Sequence, residues 1–248
     1  MTNTIDTLTG VRYQAADGIG RITLARPEAS NAVDLQMASS LGQAVSQAVA
    51  DPAVRVVVID GEGKRFCAGG DVAAMSAADD KPAAVRELAE TLDAALLTLD
   101  ATDKPVIASV RGAVAGAGLG ILLACDLVVA ARTTKLLTAY TAIGITPDCG
   151  VSWLLPRAVG QQRALEMVLT GRPLSADEAH SWGLVTTVVD DIDLDAETEA
   201  LALRIAALPP FATGQARRPI RSSWDVTREA ATADEVRTVT EAISRVFA

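Results

Sequence analysis

Residues 104–123 read KPVIASVRGAVAGAGLGILL. The run after Pro105 is apolar and β-branched, the pattern of a strand buried on both faces. Glycines follow at 112, 116, 118 and 120, and the apolar stretch beyond predicts a short helix ending near Cys125. A strand, a glycine-rich turn and a helix in succession make a familiar phosphate site, so the first question is what this turn holds. The dinucleotide fingerprint needs G-x-G-x-x-G, and the P-loop needs G-x-x-x-x-G-K-[ST]. Gly112, Gly116, Gly118 and Gly120 satisfy neither spacing, and no Lys-Ser/Thr pair closes the segment. Close helix–sheet packing remains, or a different negative charge.

A second stretch of the same kind bears on the choice. Residues 66–71, FCAGGD, follow another β-branched run, VRVVVID at 54–60, and again combine small residues with glycine. Two such turns can aim main-chain N–H groups at one point, and paired donors at a helix N-terminus form an oxyanion hole. Together the two loops point to polarisation of a carbonyl more than to phosphate binding.

Working outward, residues 10–15 and 19–25 predict two strands joined at Asp17-Gly18. Asn31, with Asp34 three residues on, predicts an N-cap for an Ala-rich helix running to about residue 50. Residues 72–82 read as a polar, Ala-rich connection, 83–100 as a helix and 127–131 as a strand. Pro147, Gly150 and Pro156 predict a loop. Helices at 161–170 and 175–182 and a strand at 184–189 follow it, and then a charged helical tail broken at Pro209-Pro210. Paired short strands followed by helices indicate an α/β fold.

A chain of 248 residues buries roughly three quarters of its unfolded surface. Its three cysteines, Cys67, Cys125 and Cys149, are widely spaced without a metal pattern and suit a reducing, cytoplasmic setting. The N-terminus predicts no signal peptide, and no stretch predicts a membrane span. A net charge of −9 argues against nucleic-acid or anionic-membrane partners, though a local site for an anionic small ligand remains open.

Five segments in order carry a specific resemblance: RPEASNAV (26–33), GEGKRFCAGGDV (61–72), VRGAVAGAGLGILLACDLVVA (110–130), IGITPDCGVSWLLPRAVG (143–160) and ALEMVLTGRPLSADEAHSWGLV (164–185). Over roughly residues 10–190 the chain resembles the crotonase (enoyl-CoA hydratase/isomerase) superfamily. The resemblance implies a spiral of ββα units, with residues 1–192 as an acyl-CoA-binding core and 193–248 as a helical trimerisation region. It implies a homotrimer or a dimer of trimers. An acyl-CoA thioester is the implied partner, with CoA as part of the substrate and no metal or redox cofactor.

By position, the oxyanion-hole donors fall on Ala68 and Ala117. Ala29, Ser30 and Ala32, together with Gly69, Gly70, Asp71 and Val72, fall at the CoA side. Arg26 and the cluster Arg217, Arg218 and Arg221 are candidates for phosphates. Glu28 stands where some relatives carry a basic residue.

The two glutamates of the family's hydratases correspond to Gly120 and Tyr140, neither of them a carboxylate. Hydration needs groups that activate water and move a proton to carbon, so their loss argues against ordinary hydration. Asp148, in GITPDCGVSW, resembles the aspartate of phenylacetate-type enoyl-CoA isomerases, and one carboxylate suffices to move a double bond. It is expected among Ile143, Ile145 and Leu154, and Tyr140 is expected to line the acyl pocket. A turn or N-cap role for Asp148 competes with catalysis.

Asp71 is expected to cap a helix or touch CoA, His180 to be structural, and Cys67 and Cys149 to be small apolar filler. The activity expected is enoyl-CoA isomerisation through an enolate. The alternatives are hydration with Asp148 and Tyr140 as stand-in acids, nucleophilic use of Asp148 as in aryl-CoA dehalogenases, and acyl-CoA binding without chemistry.

Overall fold

The computed structural model describes residues 3–5 and 8–247. Strands β1 (Asn3–Ile5), β2 (Val11–Ala16) and β3 (Ile19–Leu24) form an antiparallel ribbon, with β2 and β3 joined at the predicted Asp17-Gly18 turn. The sheet continues in parallel through β4 (Val56–Gly61), β5 (Val106–Val110), β7 (Leu127–Ala131) and β10 (Thr187–Val189). In a second sheet β6 (Ala113–Ala115) pairs in parallel with β8 (Lys135–Leu137), which also pairs antiparallel with β9 (Leu174–Ser175).

The continuous apolar strands are buried on both faces, as parallel strands with helices on either side require. Val57 and Ile59 point into the main core, with Met37 and Leu41 of α1 (Leu35–Ala50) and Leu92 and Leu99 of α3 (Lys81–Ala101). Val56 and Val58 point the other way, against Leu194, Ala202 and Ala206 of α8 (Leu194–Ala206).

Several local expectations change. Asp34, not Asn31, caps α1, its carboxylate accepting from Met37 N–H at 2.8 Å. Asn31 is instead fully buried and spans two loops: its Oδ1 accepts from Arg26 N–H at 2.8 Å, and its Nδ2 donates to Glu62 O and Arg65 O at 3.0 and 2.9 Å. Residues 72–77 of the expected connection form a helix, α2 (Val72–Ala77), capped by Asp71. The loop expected around Pro156 contains a helix, α5 (Val151–Val159), with that proline inside it. Burial of Val151, Leu155 and Val159 along one face outweighs the missing N–H. The expected strand at 184–189 shortens to three residues.

Beyond α4 (Ala117–Leu123), α6 (Gln161–Thr170) and α7 (Ala176–Ser181), the tail forms α9 (Pro210–Arg221) and α10 (Arg228–Val246), with α9 beginning at the predicted proline break. Arg217 ties α9 to the body and is not a free phosphate ligand. Its buried guanidinium donates to Leu99 O and Asp100 O at 2.9 Å, to Thr102 O, and to Asp126 Oδ2 at 2.7 Å. Arg221 pairs with Asp100, and Arg218 with Asp234. All three arginines expected as a phosphate cluster are engaged by carboxylates of the chain itself.

Candidate active site

The two glycine loops meet. Phe66 N–H donates to Arg111 O at 2.8 Å, Cys67 N–H to Ala113 O at 3.2 Å, and Ala115 N–H to Cys67 O at 3.0 Å. The contact is close enough to need glycine. A Cβ on Gly118 would stand 2.6 Å from Cys67 O, and Gly69, at φ +110°, would bring one to 3.2 Å from Ala115 O. Gly116, at φ +51° and ψ −121°, turns the chain from β6 into α4.

Ala117 is the first residue of α4, where an N–H has no intrahelical acceptor. Among the described residues none accepts from it. Ala68 is exposed, and its N–H donates to Ser30 O at 3.1 Å. Ser30 and Asn31 both adopt left-handed backbone, at φ +57° and +54°, an uncommon conformation for two successive residues with side chains. The bonds of Asn31 hold that turn against the loop before Phe66.

The third element is the turn at 148–150, which packs on α4. A Cβ on Gly120 would lie 2.6 Å from Cys149 Cβ and 3.0 Å from Cys149 O. The position that carries a glutamate in the family's hydratases is therefore closed to any side chain in this backbone. Cys149, at φ +51°, and Gly150, at φ +69°, lead into α5, whose N-cap is Gly150 without a side-chain cap bond. Asp148 thus does not cap the helix. Its carboxylate instead accepts from the Tyr140 hydroxyl at 2.9 Å. Tyr140 is 4% exposed. Burial, and then the neighbouring Asp148 charge, push its phenol well above the ordinary tyrosine range, so it stays a donor. Of the expected apolar neighbours, Leu154 is partly buried, whereas Ile143 and Ile145 are exposed on the outer side of the turn.

The loop before α1 carries Ala29, Ser30 and Ala32, and a bridge between Val33 and Gly70 sets it beside the loop of Gly69, Gly70, Asp71 and Val72. Asp71 accepts from Ala74 N–H at 3.1 Å and pairs with Arg26 at 3.2 Å. The helix N–H first, and the guanidinium with it, hold its carboxyl below the usual range. Arg26 is consumed by Asp34, Asp71 and Ala32 O, so the expected phosphate contact there is replaced by an internal clamp. Glu28 is exposed.

Arg65, which the sequence reading did not single out, donates to Ser30 Oγ at 2.7 Å and stands exposed at this edge. Its signal was the Lys-Arg pair directly before the loop. His180 lies 3.0 Å from Val185 O through Nδ1, a structural contact. Burial pushes the Cys67 thiol up to about 12 and raises Cys149 as well, so neither is a thiolate at neutral pH.

Comparison with known proteins places the chain in a family. The enoyl-CoA hydratase/isomerase family profile matches residues 14–246. The 1,2-epoxyphenylacetyl-CoA isomerase of Escherichia coli is 37% identical over 211 residues, covering 83% of this chain and 79% of that protein. A 4-chlorobenzoyl coenzyme A dehalogenase of Arthrobacter is 34% identical, covering 92% of this chain and 84% of its own length. A crystal structure assigned to the enoyl-CoA hydratase/isomerases, from Mycobacterium abscessus, superposes with a TM-score of 0.88 at 38% identity, covering 93% and 90% of the two chains. The chain belongs to the enoyl-CoA hydratase/isomerase family and has the crotonase fold. Among the described residues no helix is long and apolar enough to cross a membrane.

Proposed function

We propose that the protein is an enoyl-CoA isomerase that shifts a carbon–carbon double bond in an acyl-CoA thioester. The observation that carries this reading is the turn at 138–150: its one carboxylate, Asp148, is hydrogen-bonded by Tyr140, and the Cys149 that follows it leaves no room for a second acid at Gly120 of α4. The thioester carbonyl accepts from the N–H groups of Ala68 and Ala117, the first released from Ser30 O as substrate enters. The Asp148 carboxylate removes a proton from the α-carbon, which lies between the thioester carbonyl and the double bond. The electron pair moves into a dienolate whose oxygen the two donors stabilise, each worth about 3–4 kcal/mol. The same proton then returns at the far end of the dienolate, and the carboxylate is regenerated. Tyr140 can bond only one carboxylate oxygen at a time, which leaves the other for carbon.

Hydration is less well supported. Tyr140, raised in pKa and already bonded to Asp148, is a poor base for water. Ala29, Ser30, Ala32, Gly69, Gly70, Asp71 and Val72 form the proposed CoA side. Residues 193–248 are the proposed trimerisation region, and Val236, Val239, Ile243 and Val246 form an exposed apolar stripe along α10 there. A cytoplasmic homotrimer or dimer of trimers is part of the same proposal.

The test is the rise of conjugated enoyl-thioester absorbance when protein meets a 3-enoyl-CoA, with Asp148→Asn alongside. A rise that the variant lacks, at unchanged thioester affinity, supports the reading. Equal rates in both proteins, or tight binding with no turnover across chain lengths, overturn it.

A further inference from the structure

Behind Cys149 and Gly150 a cavity of about 350 Å³ opens between α3 and α5, within the size range of small-ligand pockets. Leu96 and Leu97 on α3 face Trp153 and Leu154 on α5 across it. Its position is what matters, since Cys149 and Gly150 directly follow Asp148 in the chain and set this space next to the proposed site. Along α3, Asp93, Leu96, Leu97 and Asp100 recur at the spacing of a single helical face, so two carboxylates share the wall with the leucines.

Those two carboxylates are not equivalent. Asp100 is held by Arg221 at 2.5 Å, and Arg221 also donates to Ala124 O at 3.2 Å. Asp93 is partly buried, and among the described residues it has neither a hydrogen-bond partner nor an ion pair. Its charge is felt across the cavity, adding to burial and to Asp148 in raising the Cys149 thiol. With Asp225 at the rim, the cavity carries three carboxylates against the single guanidinium of Arg221. A plain hydrocarbon that fills this space leaves the Asp93 carboxylate without a partner, whereas a ligand that brings a donor satisfies it.

We infer that Asp93 is a specificity-determining residue, which selects acyl groups whose far end carries a hydroxyl and rejects those that end in a carboxylate. The inference rests on the acyl-CoA isomerase reading and names the substrate class of the same site. Donation from the hydroxyl to Asp93 compensates the desolvation of that carboxylate. A terminal carboxylate brings like charge into a space whose described cation, Arg221, is already paired with Asp100. A terminal methyl falls between the two.

Saturated thioesters separate this selection from the chemistry. Hexanoyl-CoA, 6-hydroxyhexanoyl-CoA and adipyl-CoA are titrated calorimetrically into wild type, Asp93→Asn and Asp93→Leu, with isomerisation of a 3-enoyl-CoA followed separately. In the wild type the hydroxyl-ended thioester is expected to bind about tenfold more tightly than hexanoyl-CoA, and adipyl-CoA more weakly than either. Asp93→Leu reverses the order of the first two. Asp93→Asn, which keeps a polar acceptor without the charge, retains part of the hydroxyl preference and relieves the rejection of adipyl-CoA. Wild-type affinities equal within twofold, or a change of the same factor for all three thioesters in Asp93→Leu, would overturn the inference. Turnover that fails while the ranking holds removes the isomerase reading and leaves the selection by Asp93 standing. Failure of all three thioesters to bind removes both.

Discussion

Asp71 and Asp148 occupy similar settings in the sequence, each within two residues of a glycine and just ahead of a helix, yet the fold uses them in opposite ways. Asp71 accepts from Ala74 N–H and pairs with Arg26, so helix α2 and the clamp around Ala32 depend on its oxygens. Asp148 lies two residues before the N-cap of α5, which has no side-chain cap bond, and among the described residues its carboxylate accepts from the Tyr140 hydroxyl, a neutral donor. An ionised group saturated by a helix terminus and a guanidinium is structural. One held by a single hydroxyl keeps an oxygen for chemistry. Proximity to a helix does not separate the two roles; the number and charge of the partners does.

The sharpest way to break the comparison is to neutralise Asp148. Asp148→Asn should lower kcat by about 10²–10⁴, the usual contribution of a positioned acid–base group, with thioester binding retained. A loss of affinity without a loss of kcat would return Asp148 to a structural role. Gly120→Glu is the next test, because it offers the site a second acid. In this backbone the new side chain meets Cys149. The variant should be destabilised by about 1–3 kcal/mol and lower the midpoint of thermal unfolding by several degrees, without gaining hydratase activity. Hydration of a 2-enoyl-CoA by a stable Gly120→Glu protein would mean that the turn at 148–150 yields easily.

Most of the framework was legible because strands such as 54–60 and 127–131 announce double-sided burial through composition alone. Elements too short for periodicity were not, and β6 and β8, three residues each, complete the small sheet behind the glycine turn. α5 was hidden by Pro156 and Gly150, breakers that a buried face overrides. At the site, the family pattern brought attention to Ala68, Ala117, Tyr140 and Asp148, and the structure gathers their segments around α4. Three facts lay beyond any local pattern. The Ala68 N–H is bonded to Ser30 O, Cys149 closes the space at Gly120, and Tyr140 reaches Asp148 across a turn whose irregular backbone brings residues eight apart together. The arginines misled for the same reason, since nothing near Arg217 in sequence shows that Leu99, Asp100 and Asp126 surround it.

Tyr140→Phe probes the other half of the contrast. It keeps the buried ring and removes the hydroxyl that donates to Asp148. An orientation role predicts a fall in kcat of about tenfold or more with KM nearly unchanged, because a hydrogen bond to a charged group contributes about 1.5–3 kcal/mol. Unchanged kcat would mean that the carboxylate is held by its turn alone. A loss as deep as that of Asp148→Asn would give the hydroxyl a direct part in proton transfer.

The smallest effect belongs to Asp71, and its pH dependence gives the test its direction. Asp71→Ala removes an N-cap and should cost about 1 kcal/mol near neutral pH. In the folded protein the Ala74 N–H and Arg26 hold the Asp71 carboxyl below its value in the unfolded chain. A depressed folded value means that the unfolded state binds the proton first as pH falls. The stabilisation is therefore complete above the ordinary aspartate range and is lost as pH drops through the lower folded value. Chemical denaturation of wild type and variant should show a gap at pH 7 that narrows in acid below the usual aspartate pKa. A gap independent of pH would mean that Asp71 acts through packing, and the distinction drawn between the two aspartates would then rest on Asp148 alone.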